Sequence, residues 1–175
     1  LSAKGDNPFS AFIDADLKKH KVEHFDLTPD RPSNAVLASV ISSRHNGHRN
    51  IFTHHPENIT PELHAEQLFE DLNADILLID GFYPETTVDY ARIANRNKIP
   101  VVADCGSWKP GYTDLVPHID IAICSEDFYP PGCKYPDDII DFFRAGKTNK
   151  VAITRGEKSI IYCDEKQRGE VPVKQ

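Results

Sequence analysis

Methionine is absent from this 175-residue sequence, tryptophan occurs once, and no apolar run approaches the length of a membrane-spanning helix. A helix needs about 20 predominantly apolar residues to cross a bilayer. The first residues, Leu1 to Gly5, also lack the pattern of a signal peptide. The sequence therefore predicts no membrane span and no signal peptide. Because even the first residue is not methionine, we expect the chain to be part of a longer protein.

Cysteine is scarce, and its four occurrences form no Cys-x-x-Cys pair. The chain is not a small cysteine-dense scaffold, so we predict reduced thiols and a cytoplasmic location. Cys105 and Cys124 each end an apolar run. Buried thiols behave as small apolar side chains, and we predict that role for both residues.

Positive charge is also in short supply, since 20 Lys and Arg residues face 27 Asp and Glu residues, for a net charge of -7. A nucleic-acid-binding protein shows a basic face or stripe, so we predict no nucleic-acid partner. The sequence has no Gly-x-x-x-x-Gly-Lys-Ser/Thr loop and no Gly-x-Gly-x-x-Gly segment. These absences argue against a P-loop nucleoside triphosphatase and a dinucleotide enzyme, but not against ATP bound by a few placed donors.

Short apolar strands alternate with helices through the second half of the chain. Strands are predicted at 75–80, 99–104, 119–124 and 151–154, and helices at 85–96 and 136–145, the latter opened by Pro136 and closed by Gly146. This alternation predicts an α/β fold, a three-layer sandwich whose mostly parallel central sheet is covered on both faces. Two closely spaced strands, 159–163 and 169–173, predict an antiparallel margin.

The first part of the chain has a different pattern. Phe9, Ile13 and Leu17 have the spacing of a helix over 8–22. The Asn46-Gly47 pair predicts a β-hairpin, with Ala38, Val40 and Ile41 facing Ile51 and Phe52 to form an apolar face. Thr60-Pro61 predicts the start of another helix. The hairpin does not fit the alternating pattern, so we predict a small separate lid over residues 35–54.

Polar and glycine residues follow four of the predicted strands directly. They are Asp80-Gly81, the run from Asp104 to Lys109, Ser125-Glu126-Asp127, and the run from Thr154 to Glu157. Ligands of open α/β sheets bind beyond the carboxyl ends of the strands. A solvated loop is the commoner explanation for any one position. The concentration of such residues at one sheet edge nevertheless predicts a binding site there.

Two other polar groups are weaker candidates. His45, His48, His54 and His55 surround the predicted hairpin turn without a Cys or carboxylate at ligand spacing, so we predict no metal site there. Asp14 and Asp16 lie within the helical repeat of the first helix, so we interpret them as solvated helix residues.

Four segments, in order along the chain, resemble motifs of the ribokinase-like (PfkB) carbohydrate kinases. Gly5 to Phe9 resembles Gly-Asp-Asp-x-Phe-Gly, and residues 46–51 resemble Gly-x-Arg-Thr-Ile of the family's lid. Val101 to Asp104 resembles Val-x-x-Asp. Val151 to Ser159 resembles Val-x-Val-Thr-x-Gly-x-x-Gly, with serine in place of the last glycine. The resemblance covers nearly the whole chain, and residues 1–175 are identified as a partial kinase domain of this family.

The resemblance implies ATP-dependent phosphorylation of a sugar hydroxyl, with ATP and Mg²⁺ as cofactors. A nucleoside kinase of the same fold and a non-catalytic sugar- or nucleotide-binding module are the alternatives. The resemblance also implies that the sugar-gripping Gly-Gly segment precedes Leu1 and that the Gly-Ala-Gly-Asp segment follows Gln175. The aspartate of the latter is the family's catalytic base, so no catalytic residue is expected within this chain.

One loop departs from the pattern of many relatives. Ser125-Glu126-Asp127-Phe128 stands where many relatives have Asn-x-x-Glu. The Ser-x-Asp pattern is shared with ketohexokinase-like members of the family and favours that branch. The departure also weakens a direct metal role for the loop.

The resemblance implies roles for particular side chains. Arg49 on the lid and Gly81 are expected to bind the sugar. The residues expected to bind the nucleotide or its phosphates are Thr154, Gly156, Glu157, Ser125, Asp127 and Lys109. No residue is expected to bind a metal directly. The lid is expected to pair with the lid of a second copy, which would make the protein a homodimer.

Overall fold

The structure is a computed structural model that describes residues 1–29, 36–45, 49–54, 69 and 73–173. The chain divides into two compact units, Leu1–Leu63 and His64–Gln175. The predicted turn at Asn46-Gly47 lies outside the described residues, as does the predicted helix opened by Thr60-Pro61, apart from Phe69.

The described residues of the first unit form one helix and one two-stranded sheet. Helix α1 spans Ser10–Lys19, within the predicted range. Strands β1, Leu37–Ser42, and β2, Arg49–His54, pair in antiparallel orientation, as the hairpin prediction requires. All twelve strand residues are exposed in the structure.

The apolar side chains of this hairpin are divided between its two faces. Directly opposed residues of an antiparallel pair project to the same face. Val40 is opposite Ile51, whereas Phe52 is opposite Ser39 and Ile41 is opposite Asn50. The prediction of one shared apolar face was therefore wrong. The prediction was made without knowledge of the strand register. A shift of one residue in the register moves a side chain to the other face of the hairpin.

Asp26 ties the start of the chain to the segment that precedes the hairpin. Its carboxylate accepts hydrogen bonds from the backbone N–H groups of Lys4, Gly5 and Thr28, each at 3.0 Å. Partial burial disfavours the charged form, but these three N–H donors outweigh it and hold the pKa of Asp26 below its ordinary value of 3.8. The Asp26 carboxylate therefore links the start of the chain to the segment around residue 28, and we call this set of hydrogen bonds the Asp26 staple.

We expect the Asp26 staple to make the first unit sensitive to acid. A carboxylate with a depressed pKa stabilises the fold above its unfolded-state pKa, and this contribution is lost as the pH falls through the folded-state pKa. The variant Asp26→Asn should lose about 1 to 2 kcal/mol at neutral pH, because its amide cannot accept all three bonds. Its melting temperature should also fall less steeply than that of the wild type below about pH 4.

Melting temperatures recorded from neutral to acidic pH test this expectation. Asp16, on the exposed surface of α1, is the matched control; its 3.7 Å contact with His20 is exposed to solvent, so Asp16→Asn should leave the melting temperature at neutral pH nearly unchanged. A wild-type acid profile retained by Asp26→Asn would contradict the assigned role.

The second unit is built on a six-stranded sheet whose strands lie in chain order. Its parallel strands are β3, Leu77–Ile79, β4, Val101–Cys105, β5, Ile121–Ser125, and β6, Lys150–Arg155. Strands β7, Lys158–Cys163, and β8, Arg168–Val171, are antiparallel. The predicted parallel sheet with an antiparallel margin is confirmed.

The helices of this unit fill the connections between the parallel strands. They are α2, Pro84–Arg96, α3, Tyr112–Leu115, a 3₁₀ turn, Val116–His118, and α4, Pro136–Ala145. Their buried side chains join those of alternate strand positions, such as Ala103 and Ile153, in one core. The predicted fold class, a mostly parallel sheet flanked by helices with a small antiparallel hairpin, is therefore confirmed.

In the part of the second unit that the structure describes, the opposite face of the sheet is open. Leu78 is 69% exposed and Ile123 is 36% exposed, although both lie in strands that read as continuously apolar. Such a face needs a covering layer in water. The described residues of this unit supply the layer on one face of the sheet, and they do not supply a layer on the other face.

Three helices end on a lysine with left-handed backbone. Lys21, Lys98 and Lys147 have φ of 57°, 61° and 74°. In each case the next N–H group bonds back five residues into the helix, as in a Schellman cap. Gly146 directly follows the last residue of α4, as predicted, but its φ of -81° is ordinary and the left-handed residue is Lys147. Gly146 is instead required for packing, because a side-chain carbon there would overlap the Val116 side chain.

Glycine at these helix ends is expected to stabilise the protein. A left-handed residue with a side chain costs roughly 1 to 2 kcal/mol, and glycine avoids most of this cost. Lys98→Gly and Lys147→Gly should each raise the free energy of unfolding by about 1 kcal/mol. Urea denaturation measures the change. Lys98→Ala, which keeps a side-chain carbon, should give no such gain, and an equal gain from alanine would contradict the backbone explanation.

Candidate functional site

The carboxyl ends of the four parallel strands meet at one edge of the sheet. The registers run continuously across β3 to β6, and they place Ser125 directly opposite Thr154. Burial alternates along these strands, so Asp104, Ser125 and Thr154 lie on the open face. The polar residues predicted from the sequence are therefore gathered at one end of an otherwise apolar sheet face.

The ends of β3 and β4 are joined by Lys109 and Tyr112. The Lys109 ammonium donates to the Asp80 carbonyl oxygen at 3.4 Å and lies 4.5 Å from the centroid of the Phe82 ring. The Tyr112 hydroxyl contacts the carbonyl oxygens of Asp80 and Asp104 at 3.4 Å each. An aromatic face and a carbonyl dipole both attract a cation, so the ammonium is held at the sheet edge.

Gly81 lies beneath the ring of Tyr112. It is buried and has a φ of 71°. A side-chain carbon at this position would come within 2.5 Å of the Tyr112 ring. Only glycine satisfies both the backbone conformation and the close approach. Gly81 therefore supports the site by allowing the Tyr112 ring to pack closely. Lys109 belongs to the same group of residues, at the carboxyl ends of β3 and β4.

A second group of residues lies at the ends of β5 and β6. The Thr154 hydroxyl donates to the Cys124 carbonyl oxygen at 3.2 Å. The Ser125 hydroxyl accepts a hydrogen bond from the Asp127 N–H group at 3.1 Å, which closes the turn after β5. Glu126 forms a 3.6 Å ion pair with Lys158. The two turns after β5 and β6 are therefore side by side and carry charges of both signs.

The turn between β6 and β7 has a two-residue loop, Gly156-Glu157. Arg155 and Lys158 pair across it, and Gly156 has a φ of 61°. Glycine at the first loop position is typical of a type II′ hairpin turn. The nearest atom to a side-chain carbon on Gly156 would be a Glu126 carboxylate oxygen, at 3.7 Å. The turn therefore presents bare backbone that a ligand can approach.

Aromatic rings support the loops after β4 and β5 from the core side. The Phe128 ring, which is fully buried, lies 5.2 Å from the Tyr112 ring and 5.8 Å from the Trp108 ring. Phe143 on α4 stacks beneath Phe128 at 5.7 Å. Closely packed rings of this kind resist displacement. The loops after β4 and β5 are consequently anchored to the same rigid cluster.

Two buried groups beneath the site, Tyr112 and Cys124, are held in their neutral forms. Burial raises the pKa of Tyr112 far above its ordinary value, and the neighbouring Cys105 thiol raises it further. For Cys124, a hydrogen bond with Cys105, together with burial, raises the pKa of the thiol. A neutral thiol is a poor nucleophile. Both cysteines are fully buried, in agreement with the predicted packing role.

Arg49 is exposed at the start of β2, in the first unit, opposite Ser42. The predicted nucleotide residues other than Lys109 come together at the β5–β6 end. Sequence reasoning gave no role to Tyr112, Phe128 or Arg155. For Arg155, the serine at position 159 was a usable signal, because it departs from the expected glycine.

Two kinds of feature are absent from the described residues. Within the described ranges, no group of three or more His, Cys, Asp or Glu side chains is arranged to hold a metal ion. The helices of the described part of the chain also include none with the length and apolar character that a bilayer crossing requires.

Comparison with known proteins places this geometry in a family. The family model described as pfkB family carbohydrate kinase matches residues 1–175, the whole chain. No curated protein sequence is significantly similar to the chain.

Solved structures share the fold at low sequence identity. A putative ribokinase from Agrobacterium tumefaciens superposes with a TM-score of 0.78 at 20% identity, over 99% of this chain and 60% of its own. The Xylella fastidiosa fructokinase gives 0.77 at 17% identity, over 100% of this chain and 60% of its own. Anopheles gambiae adenosine kinase gives 0.79 at 15% identity, over 99% and 59%. The chain thus spans about three fifths of the length of these structures.

Proposed function

The chain belongs to the pfkB family of carbohydrate kinases, and we propose that it forms one wall of the active site of an ATP-dependent sugar kinase. The observation that carries the proposal is the gathering of Lys109, Ser125, Asp127, Thr154 and the Gly156 turn at one sheet edge. Phosphoryl transfer asks a protein mainly for positioning and charge stabilisation, and this edge supplies both.

The two groups of residues are proposed to have different roles in the reaction. The open Gly156-Glu157 turn, with Thr154, Ser125 and Asp127 beside it, is proposed to hold the nucleotide and its phosphates. Lys109, held at the β3–β4 end, is proposed to attract a phosphate there. Arg49 on the hairpin is proposed to contact the sugar, and Gly81 to shape the substrate side. The catalytic base is proposed to lie C-terminal to residue 175.

Mg²⁺ is proposed to arrive with ATP, since it is usually held by one or two carboxylates together with substrate phosphates and water. The nearest carboxylates at the β5 end, Glu126 and Asp127, are both exposed, and Glu126 is already paired with Lys158. These residues fit contact with the water shell of the ion. When bound, the ion would neutralise charge on the phosphates.

The hairpin is proposed to act as a lid and as a dimer contact. Both of its faces carry exposed apolar side chains, such as Val40 at 53% and Phe52 at 63% exposure. One face would cover the substrate and keep water from the phosphate, while the other would pack on the hairpin of a second copy. We propose this arrangement in a cytoplasmic protein that binds neither nucleic acid nor a membrane.

The experiment that tests the proposed function uses the full-length protein with ATP and Mg²⁺. ADP formation is measured with ribose, fructose and adenosine as acceptors, and ATP binding is measured separately through Trp108, the single tryptophan and the neighbour of Lys109. We expect turnover with a sugar. Lys109→Ala should weaken ATP use roughly 10- to 100-fold, the loss expected for one charged hydrogen bond. Lys166→Ala, an exposed lysine in the β7–β8 turn, is the matched control.

The outcomes separate the alternatives. Turnover with adenosine alone would identify a nucleoside kinase. ATP or sugar binding without turnover of any acceptor would identify a non-catalytic binding module. The oligomeric state of the same preparation tests the lid contact, since Phe52→Ser should shift a hairpin-mediated dimer toward monomer. A monomeric wild type would contradict that part of the proposal.

A further inference from the structure

The strand pairing is irregular next to the proposed nucleotide turn. Ile153 of β6 pairs with Ile161 of β7, and Arg155 pairs with Lys158. Ser159 and Ile160 therefore oppose the single residue Thr154, which is the arrangement of a β-bulge. Bulges disrupt the local ladder and change the direction in which neighbouring side chains point. The bulge opposite Thr154 sets the direction of the Thr154 side chain and of the turn that follows it.

Arg155 holds the bulge closed. Its Nε–H group donates to the Ser159 carbonyl oxygen at 2.8 Å, and its Nη2 donates to the Ser159 hydroxyl at 2.7 Å. A guanidinium has the planar fork needed to bind two atoms of one residue at once, which a lysine ammonium lacks. The Arg155 side chain is 20% exposed, so these bonds are largely shielded from water.

Glu170 completes the link to the edge strand. It accepts a hydrogen bond from Arg155 Nη2 at 3.2 Å and another from the Ser159 hydroxyl. Arg155 and Glu170 therefore form a direct ion pair, and the Ser159 hydroxyl also bridges them. The three residues connect β6, β7 and β8, and we call them the bulge clamp. Serine at position 159 is essential to it, because glycine there would provide no hydroxyl.

We propose that Arg155 is a positioning residue for the nucleotide, acting through Ser159 and Glu170 to hold the Thr154 to Glu157 segment in its binding geometry. The inference rests on the proposed function, since it requires ATP to bind at this turn. Arg155 itself is engaged with the clamp and is not assigned any contact with substrate. Its contribution is the fixed direction of the Gly156 backbone and of the Thr154 side chain.

The test compares Arg155→Lys and Ser159→Gly with the wild type in the full-length protein. We expect both variants to raise the KM and the dissociation constant for ATP on the order of 10-fold, with the KM for the sugar unchanged. Arg168→Lys is the matched control, because Arg168 lies on β8 and pairs with Asp137 of α4 instead of with the bulge. It should leave the KM for ATP at the wild-type value. Circular dichroism and melting temperature report folding for each variant.

Each outcome bears on a different statement. If the clamp variants and Arg168→Lys change the melting temperature alike while the ATP constants stay at wild-type values, the clamp is merely structural and the inference is overturned. An equal rise in the KM for the sugar and for ATP would also overturn it. If the wild-type protein fails to bind ATP, the proposed function itself is wrong, and the inference fails with it.

Discussion

Replacing Gly81 with alanine is expected to lower the free energy of unfolding by about 3 kcal/mol, the sum of a left-handed backbone cost and an overpacking cost. Gly81 has a φ of 71°, which disfavours any residue with a side chain. The added carbon would also lie 2.5 Å from the Tyr112 ring, which is buried and cannot move aside. Because Lys109 and Tyr112 join the ends of β3 and β4 at this point, we expect ATP-dependent activity to fall as well.

Variants of two other glycines separate the backbone cost from the overpacking cost. Gly132 has a φ of 89° but nothing within 4 Å of an added carbon, so Gly132→Ala should cost only the backbone term, about 1 to 2 kcal/mol. Gly106 has neither constraint and lies in the loop after β4, so Gly106→Ala should be nearly neutral. Urea denaturation of the three variants measures the series. A Gly81→Ala variant no less stable than Gly132→Ala would show that Tyr112 yields, contrary to the packing argument.

Truncation of Phe128 to alanine is expected to cost about 4 kcal/mol, as for other fully buried aromatic side chains. The Phe128 ring contacts Trp108, Tyr112 and Phe143, which anchor the loops of the candidate site. Its N–H group also donates to the Ser125 carbonyl oxygen at 3.1 Å, within the turn that carries Asp127. The cavity left by the ring should therefore loosen this turn and raise the KM for ATP.

Phe128→Leu and Tyr129→Ala are the controls for this prediction. Leucine keeps most of the buried volume and should cost less than about 1.5 kcal/mol. Tyr129 is the next residue and is 45% exposed, so its truncation should change stability by no more than about 0.5 kcal/mol. Thermal unfolding and Trp108 fluorescence measure the effects. Similar losses from Phe128→Ala and Tyr129→Ala would contradict the role of the aromatic cluster.

The order of strands and helices could be predicted because it depends on local pattern. Apolar runs separated by helical repeats identified all six strands of the sheet to within two residues, and helix α4 with its observed bounds. The motif resemblance also identified the family, which the match over residues 1–175 confirms. The ketohexokinase-like branch stays a prediction, because low-identity structural neighbours define the fold alone.

The gathering of polar residues at one sheet edge was likewise determined by the sequence, since parallel strands that alternate with helices must bring their carboxyl ends together. Only the tertiary structure decided which of these residues touch. Lys109 is grouped with Gly81 because the Tyr112 ring, distant in sequence from β3, fills the space between the two strand ends. Arg155 is committed to the β-bulge because strand register, which no local pattern specifies, puts Ser159 and Glu170 within its reach.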